Sequence, residues 1–196
     1  LIYKCAEATA NEARWYNKNK GKGLVYWCPT INMSRDPRWG RDEENYGEDP
    51  FLTGKIAVEF VKGMQGNDPK YYKTIATAKH FAANNFEGGR HSTSSNMDYR
   101  NLREYYLPAF EMAVKEGNVR SIMSAYNSLN GIPCCASHEL LIDILRTEWG
   151  FNGFVVSDCG AIDDIWQSNR HAYVATAEEA SAISIINGED LNCGNT

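Results

Sequence analysis

Four short stretches of the 196-residue sequence concentrate side chains that could do chemistry. Ser157-Asp158-Cys159-Gly160 follows the apolar run Phe154-Val155-Val156. A carboxylate at the carboxyl end of a buried strand faces the mouth of an α/β fold, where it can serve as nucleophile or base, and Gly160 lets a backbone or ligand come close. The same aspartate could instead cap the helix that follows. Lys79-His80 ends a second apolar run. Adjacent strand residues point to opposite faces unless the strand is ending, so one of the two could be core and the other a ligand. A lone histidine is more often structural than catalytic, whereas a lysine at the end of a buried strand needs a partner. Arg35-Asp36-Pro37-Arg38-Trp39-Gly40-Arg41 places three arginines, an aspartate and an indole in seven residues. It reads either as a binding loop for a polar ligand or as a solvated salt-bridge loop. In Ser124-Ala125-Tyr126-Asn127, Tyr126 could hydrogen-bond a nucleophile, lie over a ligand, or simply pack.

Other chemistries find less support. His80, His91, His138 and His171 form neither an HxH nor an HExxH spacing, so a metal hydrolase is poorly supported. No GxSxG elbow, GxGxxG turn or P-loop occurs, so nucleotide binding is not expected. Hydrophobic residues make up 43% and charged residues 23%, which suits a folded domain. The net charge is -5, without a run of Lys and Arg, so a nucleic-acid partner is not expected. No apolar run approaches the ~20 residues of a membrane helix. The six cysteines are scattered and form no zinc-spaced CxxC pair.

The elements that must position these residues alternate. The pattern predicts a helix over 5–17, a strand over 24–28, and a long polar loop to Pro50. A helix opened by Asp49-Pro50 follows, with Ile56, Phe60, Val61 and Met64 at helical spacing. A strand over 74–82, a polar loop over 84–98, a helix over 100–116 and a strand over 120–126 come next. Ser137 caps a helix carrying Leu140, Leu141, Ile144 and Leu145. A strand over 153–158, a helix over 176–187 and a short strand over 189–193 complete the pass. Strands alternating with helices argue for parallel βα units, and the four chemical stretches all fall just after strands. The expected fold is α/β: a partial (β/α)8 TIM-like barrel of about five parallel strands with flanking helices. An eight-stranded barrel needs more like ~250 residues. Residues 1–196, which begin at Leu1 in the middle of a helical pattern, are therefore expected to be part of one catalytic barrel domain, with its early strands outside this sequence.

In order along the chain, these stretches resemble the signature of family-three glycoside hydrolases. NMSRDPRWGRDEENYGEDP, residues 32–50, resembles that family's long arginine loop, and Lys79-His80-Phe81 its sugar-binding Lys-His pair. SIMSAYNSLNGIPCCAS, 121–137, is similar to the segment with its active-site tyrosine. GFVVSDCGAI, 153–162, resembles its nucleophile segment, and Glu189-Asp190-Leu191-Asn192-Cys193-Gly194 its last barrel strand.

The resemblance implies a retaining exo-β-glycosidase, with no metal or organic cofactor in the chemistry. Asp158 would form a covalent glycosyl-enzyme, and a second carboxylic acid would protonate the leaving oxygen and then activate water. Arg41, Lys79 and His80 would hold the hydroxyls of the terminal sugar, and Tyr126 would stand beside the nucleophile. Arg90, in Gly88-Gly89-Arg90-His91-Ser92, is a further candidate for holding the sugar. Family members usually take the acid/base from a separate later domain. None of Glu43, Glu44 and Glu87 matches it, and these are expected to bind or to shape their loops. An upstream acidic residue that helps bind the sugar in the family is also missing. The expected partners are thus an oligosaccharide or glycoside substrate and the missing domains of the same parent chain. The form SDCG, with the later LNCG, resembles the β-xylosidase branch, so terminal β-xylosyl residues are favoured over β-glucosyl ones. Family analogy favours a periplasmic or secreted protein. Cys159 and Cys193 fall at the ends of successive strands. Neighbouring parallel strands lie ~4.8 Å apart, which would bring the two close enough to bridge, although a pair of buried reduced thiols is the alternative. The contrasting function is a non-catalytic carbohydrate-binding or structural module that keeps Arg41, Lys79 and His80 without turnover.

Overall fold

A computed structural model describes residues 1–196. Helix α1 (Ile2–Lys20) buries Ala6, Ala10 and Ala13 along one stripe and stops at Gly21, whose φ of 62° lets its N–H turn back to the Asn17 carbonyl. Strand β1 (Val25–Tyr26) is short. The loop after it runs to α2 (Pro50–Gln65), where the Asp49 carboxylate accepts the Leu52 N–H at 2.6 Å and Pro50 occupies the first turn. Next come β2 (Ile75–Phe81), β3 (Ser94–Ser95) and α3 (Tyr99–Asn101). A widened helical turn over Leu102–Tyr106 joins α3 to α4 (Pro108–Lys115). The expected single helix over 100–116 is thus three joined pieces. Pro108 has no N–H to continue the ladder, and the Leu107 N–H reaches back five residues to the Leu102 carbonyl. Strand β4 (Ser121–Ser124) leads to a hairpin of β5 (Ser128–Leu129) and β6 (Ile132–Pro133). A second wide-turned helix, Glu139–Glu148, carries Leu140, Leu141, Ile144 and Leu145 inward from the Ser137 cap. The chain ends with β7 (Phe154–Ser157), α5 (Ala161–Trp166) and α6 (Ala177–Ile186).

Four strands form one parallel sheet in the order β1-β2-β4-β7, a curled half-barrel with helices on its outer face. The predicted fifth strand, 189–193, is reduced to a bridge between Val156 and Leu191. The Asp190 carboxylate accepts the Val155 N–H at 2.7 Å, so a side chain joins the backbone groups in holding this segment against β7. The β5–β6 hairpin went unread in the sequence. Its turn is Asn130-Gly131, both at positive φ, the residue pair that a tight hairpin favours. β3 adds to it as a small second sheet.

The main core lies between the sheet and the helices. Phe81 packs on Phe110 and Trp149, with ring centroids 5.1 and 5.9 Å apart, above fully buried Met64, Ile122 and Leu141. A smaller cluster of Tyr126, Cys135, Ala136, Ala161, Ile162, Ile165 and Ala180 supports the carboxyl ends of β4 and β7. No helix is long and apolar enough to cross a membrane.

Helices α1 and α2 touch at Gly63, where an added Cβ would stand 2.5 Å from the Tyr3 carbonyl oxygen and 2.7 Å from the Ala6 Cβ. Gly63→Val should therefore destabilise by about 1–3 kcal/mol, because backbone rather than a flexible side chain must give way. Gly23→Ala, which meets nothing within 4 Å, should leave the thermal midpoint unchanged, and equal midpoints for the two variants would contradict the close packing.

Candidate active site

All four strands of the half-barrel end on the same side; β2 carries Lys79-His80 near its end, and β1, β4 and β7 each lead toward one of the other stretches singled out above. Asp158 stands one residue beyond β7. Its N–H stays in the ladder, bonded to the Ser124 carbonyl at 3.1 Å, and its carbonyl accepts the Ala161 N–H at 2.9 Å. The chain turns at once into α5 through Gly160, at φ 81°. The carboxylate does not cap that helix. Oδ1 accepts its neighbour's N–H, from Cys159, at 2.8 Å, and Oδ2 lies 3.6 Å from His80 Nε2. The residue is only 9% exposed.

His80 is more buried still, at 1%. Asn32, from the loop after β1, grips its backbone at two points: Asn32 Oδ1 accepts the His80 N–H at 2.8 Å, and Asn32 Nδ2 donates to the His80 carbonyl at 2.8 Å. That pairing fixes which end of the amide is oxygen. The same Oδ1 lies 3.1 Å from His80 Nδ1, which must carry the proton, and Nε2 is left to accept from Arg41 Nη1 at 3.3 Å. Burial, followed by the charges of Arg41, Lys79 and Arg90, pushes the imidazole well below its ordinary pKa. His80 is neutral here, so its approach to Asp158 is not an ion pair.

Of the loop's three arginines, only Arg41 turns inward. Arg38 pairs with Asp36 in solvent at 2.5 Å, while Trp39 is buried. Arg41 forms a two-pronged pair with Glu44, both bonds 2.7 Å, and Glu44 also accepts the Thr30 hydroxyl at 3.2 Å. The loop is partly a solvated salt bridge and partly a clamp on the site. Lys79 and His80 both serve the cluster, although they are adjacent in a strand. The β2–β4 register shifts between Ala78 and Phe81, so strict alternation ends there. Burial and then Arg41 lower the Lys79 pKa, and Asp158 and Glu44 oppose them.

On the other flank, Tyr126 donates its hydroxyl to the Cys159 carbonyl at 2.9 Å. Burial first, then the nearby Asp158 carboxylate, push the phenol well above its ordinary pKa. The Arg90 guanidinium stacks on the Tyr126 ring at 4.6 Å and is held by Glu87 at 2.5 Å. Cys159 and Cys193 are joined in a disulfide with Cα atoms 4.4 Å apart, inside the range a bridge tolerates. It ties the residue after Asp158 to the segment beside β7.

The five other sequence-predicted site residues thus gather around the Asp158 carboxylate: Arg41, Lys79 and His80 on one side, Tyr126 and Arg90 on the other. Asn32 was missed. Its one signal is a polar residue between Ile31 and Met33, both fully buried. His91 and Asp164, which meet at 2.6 Å beside Tyr126, were also missed, and a separation of 73 residues leaves no local signal.

Because folding holds His80 neutral, the unfolded chain takes up a proton near pH ~6.5 that the folded chain refuses. The stabilisation is complete above that pH and is lost as pH falls from there toward the depressed folded value. Unfolding midpoints should therefore decline from about pH 6.5 to 5, and His80→Asn should flatten that interval. An unchanged slope in His80→Asn would contradict the neutral assignment.

Residues 1–192 match the glycosyl hydrolase family 3 N-terminal domain. The chain is 41% identical over 201 residues to an exo-1,4-β-xylosidase of Emericella nidulans, covering 99% of this chain and 26% of that protein. It is 43% identical over 207 residues to a xylan 1,4-β-xylosidase of Xylanibacter ruminicola, covering 99% of this chain and 24% of that protein. Among solved structures it superposes on a family 3 exo-β-xylosidase in complex with a xylobiose aziridine probe, at TM-score 0.95 and 36% identity, over 98% of this chain and 26% of that one. It also superposes on a β-glucosidase of Thermotoga neapolitana, at TM-score 0.81 and 38% identity, over 97% of this chain and 23% of that one. The chain thus spans about a quarter of the length of these relatives, and its match to the N-terminal domain over residues 1–192 shows that it belongs to glycosyl hydrolase family 3.

Proposed function

We propose that this chain supplies the nucleophile and most of the terminal-sugar site of a retaining exo-β-glycosidase that removes β-xylosyl residues. The observation that carries the reading is the Asp158 carboxylate at the end of β7, ringed by three cationic or acceptor side chains on one flank and by Tyr126 and Arg90 on the other. Asp158 Oδ2 would attack the anomeric carbon as the bond to the leaving oxygen breaks. A carboxylic acid from another part of the parent protein would give that oxygen its proton. Water would then attack the same carbon, lose its proton to that group, and release Asp158. Two inversions retain configuration, and the two carboxyls should stand ~5–5.5 Å apart. In this reading residues 1–196 are part of one catalytic barrel domain, completed by barrel strands and an acid-bearing domain elsewhere in the parent.

The remaining roles follow from donor and acceptor types. Arg41 and Lys79 donate to sugar hydroxyls, and Nε2 of neutral His80 accepts from one, which then takes the place of its 3.3 Å Arg41 contact. Arg41 reaches the site already clamped by Glu44, so little freedom is lost when a sugar binds. Tyr126 and Arg90 close the opposite side. The Cys159–Cys193 bridge sets a compact, rigid rim directly after the nucleophile. That rim, together with the xylosidase relatives named above, supports a pentose over a hexose.

Two measurements on the full-length protein carrying this chain test the reading. Asp158→Gly should lower kcat on an aryl β-xyloside by about 10⁴-fold or more, and azide should restore turnover with α-xylosyl azide as product. Full activity in Asp158→Gly would remove the assignment, and sugar binding without turnover in the parent would favour a binding module. The parent should also cleave aryl β-xyloside with a higher kcat/KM than aryl β-glucoside, and equal or reversed values would overturn the sugar preference.

A further inference from the structure

Behind Tyr126 and Arg90 lies a histidine–carboxylate pair to which the proposed chemistry assigns no role. Asp164, on α5, is 3% exposed. Its Oδ2 lies 2.6 Å from His91 Nδ1, and its Oδ1 faces Arg170 Nε at 3.6 Å. Its backbone is held as well, since its carbonyl accepts the His171 N–H at 3.0 Å. On the other side of the ring, His91 Nε2 accepts from Arg90 Nε at 3.4 Å. A ring that donates from Nδ1 and accepts at Nε2 is neutral and in one tautomer. The ring packs on Tyr126 with centroids 4.4 Å apart, and the Arg90 guanidinium stacks on the same Tyr126. A second histidine fixes the Tyr126 backbone: His171 Nε2 donates to its carbonyl at 2.7 Å, and the Ser128 hydroxyl bonds His171 Nδ1 at 3.0 Å.

We infer that His91 and Asp164 are positioning residues: Asp164 fixes the His91 ring, and His91 holds the Arg90 guanidinium and the Tyr126 ring against the Asp158 side of the sugar site. The inference rests on the sugar-binding part of the reading above and deepens it. Arg90 and Tyr126 come from different loops, after β2 and after β4, and His91 is the side chain that contacts both. Without it, Arg90 keeps only Glu87 and the Tyr126 face to hold it.

The test is calorimetric titration of D-xylose into the full-length protein at one pH, for the parent, His91→Phe, Arg90→Ala and the double variant. His91→Phe keeps a ring on Tyr126 but removes both hydrogen bonds. It should weaken xylose binding by about 10-fold in the parent background and by much less in Arg90→Ala, whereas a purely architectural role would lower the thermal midpoint and weaken binding equally in both backgrounds. Parent-like affinity in folded His91→Phe, or an equal loss in both backgrounds, would overturn the inference. If that variant does not fold, Asp164→Asn is read by the same criterion. A parent that binds no xylose overturns it too. A parent that binds xylose but does not turn over an aryl xyloside sinks the proposed catalysis, while the affinities still decide the pair.

Discussion

The site depends first on one buried carboxamide. Asn32 bonds both backbone groups of His80 and in the same grip receives its Nδ1 proton. The two segments joined are the loop after β1 and the end of β2, where the regular β2–β4 register has already been lost. A buried N–H and carbonyl without ladder partners would be costly, and Asn32 satisfies both. The same contact sets the charge of His80 and the direction of its free nitrogen. Arg41 then has an acceptor to approach, and Glu44 holds it there. Loss of Asn32 would at once free a strand end, a tautomer and a loop.

From that anchor the site is built by short connections at the carboxyl ends of parallel strands. The β7 ladder bond and the first turn of α5 pin the Asp158 backbone, so the carboxylate's position follows from the sheet rather than from a mobile loop. The disulfide extends this rigidity one residue further, into the rim. On the far side, stacking and hydrogen bonds through Tyr126, Arg90 and His91 reach down to Asp164 in α5. Preorganisation of this kind would serve the proposed reaction, in which a neutral sugar develops positive charge at one carbon, because the surrounding dipoles would not have to reorganise as the charge forms.

Much of this was legible in the sequence because parallel strands buried on both faces read as short apolar runs. Phe154-Val155-Val156 and Ile122-Met123 fall where β7 and β4 form, and the polar residues after them had to lie at the strand ends. The proximity of Cys159 and Cys193 followed from strand spacing once both were placed at strand ends. Local pattern failed where side chains changed the backbone outcome. Asp190 is both a ligand of the Val155 N–H and a partner of Arg146, and what read as a strand is a single bridge. Pro108 widens a helix that periodicity alone reads as continuous. The Asn130-Gly131 pair has the residue types of a hairpin turn, but its flanking strands, with only two residues each, are too short to leave an alternating pattern. The His91–Asp164 and Asn32–His80 contacts join positions 73 and 48 residues apart, and no spacing rule reaches them.

The central claim is that Asp158 is the nucleophile. The most direct measurement treats the full-length protein with a 2-deoxy-2-fluoro-β-xyloside bearing a good leaving group, digests it, and maps the adduct by peptide mass spectrometry. The account predicts one fluoro-xylosyl group on the peptide containing Val155-Val156-Ser157-Asp158, attached at Asp158. Folded protein that carries no adduct, or carries it on another carboxylate, would contradict it.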